Sequence, residues 1–196
     1  GNITAGFAAL LGPSVNNSGS IITYKGSTVL GAADAITLNF DPRGLIALKL
    51  DQGAYNAQVA SSGIIEADGG RVLLTAKSAD SILKSMVNNS GVIRARSVDS
   101  SSGTILLLGD MENGTVSVGG TLDASAPNGG NGGFVETSAA HVKIADNTRV
   151  TTLAANGQNG TWLIDPDGFT IAASGGDMNG AAVASALAGG HFSIAS

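Results

Sequence analysis

Gly69-Gly70-Arg71-Val72-Leu73-Leu74-Thr75-Ala76 joins a glycine pair to six residues in which Val72, Leu74 and Ala76 occupy every second position. A period of two marks a β-strand with one face buried, and it turns Arg71 and Thr75 outward. The pattern returns as Gly26-Ser27-Thr28-Val29-Leu30, Gly103-Thr104-Ile105-Leu106-Leu107, Gly132-Gly133-Phe134-Val135-Glu136-Thr137 and Gly160-Thr161-Trp162-Leu163-Ile164. Counted between Gly26, Gly70, Gly103, Gly133 and Gly160, the spacings are 44, 33, 30 and 27 residues. Recurrence at roughly 20 to 50 residues is the mark of stacked units, none of which buries a face alone. The long first interval is expected to hide an additional turn of chain.

A second motif, small polar residues and Gly before an apolar pair, precedes most of these strands. It reads Asn16-Asn17-Ser18-Gly19-Ser20-Ile21, Ser61-Ser62-Gly63-Ile64-Ile65, Asn88-Asn89-Ser90-Gly91-Val92-Ile93 and Val118-Gly119-Gly120-Thr121-Leu122. A third apolar stretch closes several units: Ala35 to Leu38, Gly114 to Val118, His141 to Ala145 and Phe169 to Ala172. Three strands per unit predict an all-β fold, a right-handed parallel β-helix (solenoid) running without a break over residues 1–196. Roughly seven coils at about 4.8 Å each give a rod on the order of 35 Å long.

Alternation places Ile65 and Ala67 inside and Glu66 and Asp68 outside. Its expected core is Val72, Leu74, Ile105, Leu107, Val135, Thr137, Trp162 and Ile164, with Val72, Ile105, Val135 and Trp162 in one column. Trp162 has a second reading as an exposed sugar platform, but alternation points it inward. Glycines before each strand are read as supplying backbone freedom at corners, and corner asparagines as laddering with asparagines of neighbouring units. Two stretches break the pattern. Residues 78–87, with Ser78, Asp80, Ile82, Leu83, Met86 and Val87, predict a short helix, as do residues 177–189, with Val183, Ala186 and Leu187 on one face and Gly189 as the stop.

Composition agrees with a stacked small-residue core. Hydrophobic residues are 43% of the 196, aromatics only 4%, charged residues 13%, and there are 29 Gly against 4 Pro. The mean hydropathy of +0.23 and net charge of −5 exclude a disordered chain, and a pI near 4.7 without a basic stripe argues against nucleic acid. There is no Cys, hence neither a disulfide nor a thiolate metal site. No apolar run is long enough for a membrane-spanning helix, so direct membrane insertion is not expected, and a targeting segment, if the protein is exported, is expected outside these residues.

Candidate chemistry is sparse. His141 and His191 have no cysteine or nucleophile elbow to work with, so an enzyme is not expected; the enzymatic alternative is a β-helical polysaccharide lyase or hydrolase. Gly129 to Val135 departs from the calcium nonapeptide because Phe134 stands where Asp is needed, and Asp165-Pro166-Asp167-Gly168 reads as a turn. No metal or other cofactor is expected. Asn-x-Ser/Thr sequons begin at Asn2, Asn16, Asn88, Asn113 and Asn159.

Phe7 to Gly19, Gly63 to Ala76 with Val87 to Ile93, and Gly132 to Ser138 with Gly160 to Pro166 together resemble the filamentous-haemagglutinin family, the exoproteins of two-partner secretion that include high-molecular-weight adhesins. The resemblance spans nearly the whole chain. It implies a β-helical segment of a larger Gram-negative exoprotein, secreted or held at the cell surface, exported by an outer-membrane transporter and active in adhesion, aggregation or biofilm cohesion. Partners implied are a host-cell receptor, a glycan or a matrix polysaccharide, and hexose modification of the five sequon asparagines. The family's N-P-N-L and N-P-N-G-I motifs do not occur, which places the chain after the secretion domain and its contact with the transporter outside these residues. A stalk for a contact-dependent toxin is the alternative reading of the same shaft.

Overall fold

A computed structural model describes residues 1–41, 44–80 and 82–195. The protein is mostly β-strand, in parallel sheets, with one short helix. The chain visits three sheets in rotation. Asn2–Thr4, Phe7–Gly12 and Ser14–Asn17 open the first, second and third sheets, and Ser20–Ile22 returns to the first beside Asn2–Thr4. The rotation continues until the sheets hold six, seven and five strands, every neighbour in a sheet coming from the preceding or following pass and every pairing being parallel.

Register aligns the interior. Across the second sheet Ala8 pairs with Thr28, Thr28 with Val72, Val72 with Ile105, Ile105 with Val135, Val135 with Trp162, and Trp162 with Phe192. Leu30, Leu74, Leu107, Thr137 and Ile164 form the next column. All of these except Phe192 are buried, the apolar ones in one cluster with Ile21, Ile65, Ile93 and Leu122 of the first sheet and Val59, Val87 and Val116 of the third, and half-buried Phe192 packs against it. Apolar burial of this kind contributes about 1.5 to 3 kcal/mol for each large side chain. Polar members of the columns are satisfied: Thr28 Oγ1 shares a 2.9 Å hydrogen bond with Thr23 Oγ1, and Thr137 Oγ1 accepts one of 3.2 Å from Trp162 Nε1.

The corner glycines serve closeness more than dihedral freedom. Gly26, Gly70, Gly103, Gly133 and Gly160 all have ordinary backbone angles. The carbonyl of Gly26 accepts from the amide of Arg71, that of Gly70 from Thr104, that of Gly103 from Phe134 and that of Gly133 from Thr161. A Cβ on Gly70 would overlap the Gly26 oxygen, one on Gly133 the Gly103 oxygen and one on Gly160 the Gly133 oxygen. The first sheet repeats the arrangement at Gly19, Gly63, Gly91 and Gly120.

Several sequence expectations are corrected. The 44-residue interval holds no additional pass: Ser27 pairs directly with Arg71, and the surplus is an antiparallel hairpin of Ala35–Asp41 and Gly44–Gln52. Ala35 to Leu38 is therefore a strand outside the parallel sheets. Leu48 of the hairpin packs on Val29, Leu73 and Leu106, a second apolar cluster on the other side of the second sheet from the main core, and Thr75, expected at the surface, is buried. Gly31 leaves room there for Leu11, Leu48 and Ile36.

Residues 78–87 are not helical, with Ser81 lying outside the described residues. Asp80 Oδ1 accepts the amides of Ile82 and Leu83 at 2.9 and 3.0 Å, closing a turn that leaves Ile82 87% exposed, and Met86–Asn89 is a strand of the third sheet. Phe169 to Ala172 makes only an isolated bridge, Ile171 to Met178. The second helical stretch is shorter than expected, Gly180–Ala188, capped by Asn179, whose side chain accepts the Ala182 amide at 2.8 Å, and ended at Gly189. Its buried face is Ala182 and Ala186, while Leu187 is exposed. Corner asparagines do not stack on one another, because Ser61 stands between Asn17 and Asn89 and receives the Asn17 amide hydrogen.

The two kinds of glycine make a direct test. Gly133→Ala forces a methyl into a backbone carbonyl and is expected to lower stability by more than about 3 kcal/mol, whereas Gly180→Ala, at the helix start with nothing near its Cβ, is expected to raise it by up to about 1 kcal/mol. Urea denaturation followed by circular dichroism measures both; equal effects would refute the close-approach account.

Candidate functional surface

With the column residues buried, the surface chemistry lies in the rows that point outward. On the first sheet Glu66, Arg94 and Asp123 stand on three adjacent strands in register. Arg94 Nη2 lies 2.9 Å from Glu66 Oε2, and Arg94 Nε donates to both oxygens of Asp68 at 3.1 Å. Arg96 Nε donates to Asp123 Oδ2 at 2.8 Å, and the Arg96 amide to Asp68 Oδ1 at 3.0 Å. The carboxylates and guanidiniums form one continuous ladder across three passes.

Asp123 is the most enclosed member, its side chain 10% exposed. Burial works against its charge, but hydrogen bonds from the Ser125 hydroxyl, Arg96 and the Ser125 amide together outweigh that and hold its carboxyl below the usual range. The Asp68 hydrogen bond raises the Arg94 guanidinium above its ordinary value. These groups fasten passes to one another.

The third sheet carries a different row. Asn88, Ser117 and Lys143 stand in register on adjacent strands and line a groove of about 360 Å³ with Ser90, Asn147 and Asp177. Lys143 Nζ lies 2.5 Å from Asp177 Oδ1, and Asp177 Oδ2 accepts the Thr170 amide at 2.8 Å. Burial opposes the charge on Asp177, yet Lys143, the Thr170 amide and His141 together keep its carboxyl below the usual range. Among the described residues, the side chains of Asn88, Ser90, Ser117 and Asn147 make no hydrogen bond within the protein.

The sequon asparagines fall into two groups. Asn2 and Asn16 are exposed and Asn88 is half-buried. Asn113 is engaged: Nδ2 donates to the Asp80 carbonyl and Oδ1 accepts from Ser78 Oγ, both at 3.0 Å. Asn159 Oδ1 accepts the Ala154 amide at 2.9 Å. Hexose attachment at Asn113 Nδ2 competes with its bond to Asp80, whereas the Asn159 bond uses the amide oxygen, which attachment leaves in place.

Trp162 is 3% exposed and packs on Phe192 with ring centroids 5.2 Å apart, so among the described residues the aromatic rings most exposed to solvent are instead Tyr24 and Tyr55. Tyr24 lies beside the Glu66, Asp68 and Arg94 end of the ladder. His141 and His191 lie on strands of different sheets, and among the described residues no group of three or more His, Asp or Glu is placed to hold a metal ion. Among the described residues no helix is long and apolar enough to cross a membrane. Sequence reasoning read Asn88 as a sequon and part of a strand-opening motif, and Ser117 and Lys143 as parts of apolar strands, but missed the groove they share and the Arg96–Asp123 pair. The signal for those pairings is register, which no local spacing contains.

No protein-family model matches the chain, and no curated protein matches its sequence.

The ladder predicts acid sensitivity. A carboxyl whose folded value is depressed contributes stability that is complete above its unfolded value, about 3.9 for Asp, and is lost as pH falls through the lower folded value. Urea midpoints measured from pH 7 down to 3 are expected to fall below about pH 4, with a shallower fall in Asp123→Asn, which is less stable than the parent at pH 7. Parallel pH profiles for the two proteins would contradict the role given to Asp123.

Proposed function

We propose that the chain is a shaft segment of a large bacterial adhesin of the filamentous-haemagglutinin type, wound as a right-handed parallel β-helix. The observation that carries the proposal is the rotation through three parallel sheets in which each strand pairs only with the passes before and after it. An assembly of this kind grows in one direction and keeps a constant cross-section, which suits a rod that carries a surface away from a cell. Right-handedness follows from the strong rule for parallel strand crossovers within a sheet.

The biochemical reading follows from where polar groups are spent. The interior is mainly apolar, and the outer rows present hydroxyls, amides and paired charges. Such faces suit attachment to polyhydroxylated or polar surfaces. In this reading the protein is exported by an outer-membrane transporter that engages residues outside this chain, is displayed at or released from a Gram-negative cell surface, and meets a host-cell receptor, a glycan or a matrix polysaccharide.

Deletion of these residues from the full-length gene in the encoding organism tests the proposal. Adhesion to cells or abiotic surfaces is expected to fall at least about tenfold, with surface display measured in parallel by antibody against the distal part of the protein. Lost display assigns a load-carrying role and retained display with lost adhesion a binding role; unchanged adhesion would sink the proposal.

A further inference from the structure

We propose that the groove on the outer face of the third sheet binds one or two neutral sugar units of a glycan chain, with Asn88, Ser117 and the Lys143–Asp177 pair as its polar contacts. The source of the ligand, a glycan on a cell or matrix surface, rests on the adhesive reading above; the chemistry rests on the groove itself.

Charge decides the ligand class first. The one cation in the groove, Lys143, is neutralised by Asp177 at 2.5 Å, and the remaining polar side chains, Asn88, Asn89, Ser90, Ser117 and Asn147, are uncharged. A phosphate or carboxylate ligand would have to displace Asp177 from Lys143, and a metal cation would have to displace Lys143 from Asp177. A neutral ligand leaves the ion pair intact and still accepts from the ammonium or donates to the carboxylate.

Hydrogen-bonding capacity narrows it further. Amides and hydroxyls each donate and accept, which matches sugar hydroxyls and does not match a purely donating or purely accepting partner. The contrast with the first sheet is informative. There the outward polar groups of Glu66, Asp68, Arg94, Arg96 and Asp123 bond one another, whereas among the described residues Asn88, Ser90, Ser117 and Asn147 of the groove have no side-chain partner and Asn89 alone of its neutral polar groups is engaged, by the Gly91 and Gly119 carbonyls.

Geometry supplies the size. Asn88, Ser117 and Lys143 sit on adjacent parallel strands, so the row spans roughly 10 Å at about 4.8 Å per strand. That length and a volume of about 360 Å³ fit one or two pyranose rings, at the small end of ligand sites. The exposed methyl of Ala145 meets a C–H face, but no aromatic ring lines the groove, so a single site is expected to bind with a Kd on the order of millimolar. A polymeric glycan meeting many displayed copies raises the effective affinity without any further contact.

The test uses the complete 196-residue chain, made without glycosylation so that Asn88 is unmodified, as verified by intact mass. Saturation-transfer NMR with glucose, galactose, mannose and N-acetylglucosamine, and with glucuronate and inorganic phosphate as charged probes, reads binding directly. Transfer is expected to at least one neutral sugar and to neither charged probe. Ser117→Trp, which fills the groove from an outward position, is expected to abolish it, and Asn88→Ala to weaken it about tenfold. Thr121→Trp, on the outer face of the first sheet, is expected to leave it unchanged, and circular dichroism verifies the fold of each variant. If Ser117→Trp fails to fold, Lys143→Met takes its place.

Absence of transfer to every neutral sugar, preference for a charged probe, or transfer that survives both groove variants overturns the proposal. Adhesion lost on deleting the segment, without sugar binding, defeats the groove and leaves the adhesive reading standing. Sugar binding in the groove, with adhesion unchanged by the deletion, does the reverse.

Discussion

The carbonyl oxygen of a corner glycine accepts the first amide of the strand in the next pass, and the glycine of that pass sits against the same oxygen. One oxygen thus fixes the distance between passes and forbids a side chain at the corner. Because the constraint recurs at Gly26, Gly70, Gly133 and Gly160, and again at Gly63, Gly91 and Gly120, the passes superimpose at two corners. Superposition at the corners leaves the strands between them in register. Val72, Ile105, Val135 and Trp162 fall in line because their strands start from matched glycines.

Given that alignment, the three faces differ in how they satisfy polar groups. The first sheet fastens its outer row with arginine–carboxylate bonds, several of them half-buried, where such pairs are screened less by water than fully exposed ones. The second sheet is apolar on both sides near its middle, and a hairpin inserted between Ala32 and Gln58 contributes Leu48 to its outer cluster. The third sheet and its corners carry Asn88, Ser90, Ser117 and Asn147, whose side chains have no internal partner among the described residues. Rigidity is concentrated on two faces and available chemistry on one.

The legible part of the fold was the part with two coincident signals. Strands of the second sheet carry both a leading glycine and two or three inward apolar positions, so Arg71–Ala76, Thr104–Leu108 and Phe134–Ala139 were readable to within a residue or two. Strands of the third sheet carry less. Val15, Val59 and Val87 are each the lone large apolar side chain that their four-residue strands bury, and one such residue makes no alternation. In the last case Ile82, Leu83, Met86 and Val87 mimic helical spacing, and only the long-range pairing of Met86–Asn89 with Gln58–Ser61 and Thr115–Val118 distinguishes the two outcomes. Alternation also carries no direction, which is why Ala35–Asp41 looked like any other strand although it pairs antiparallel. The groove was illegible for a related reason: Asn88, Ser117 and Lys143 are 29 and 26 residues apart in sequence and meet only through register.

The rotation through three sheets has a bearing on how such a chain can change over evolutionary time. A deletion or duplication that begins and ends at equivalent corners removes or adds a complete layer, and the layers on either side meet as if nothing had happened. Smaller changes are absorbed in the connections, as the spacings of 33, 30 and 27 residues between matched glycines illustrate, and larger ones are extruded sideways, as the hairpin is. Length is therefore a quantity that mutation can adjust in whole steps without inventing a new core, while the identity of each exposed row remains free to diverge.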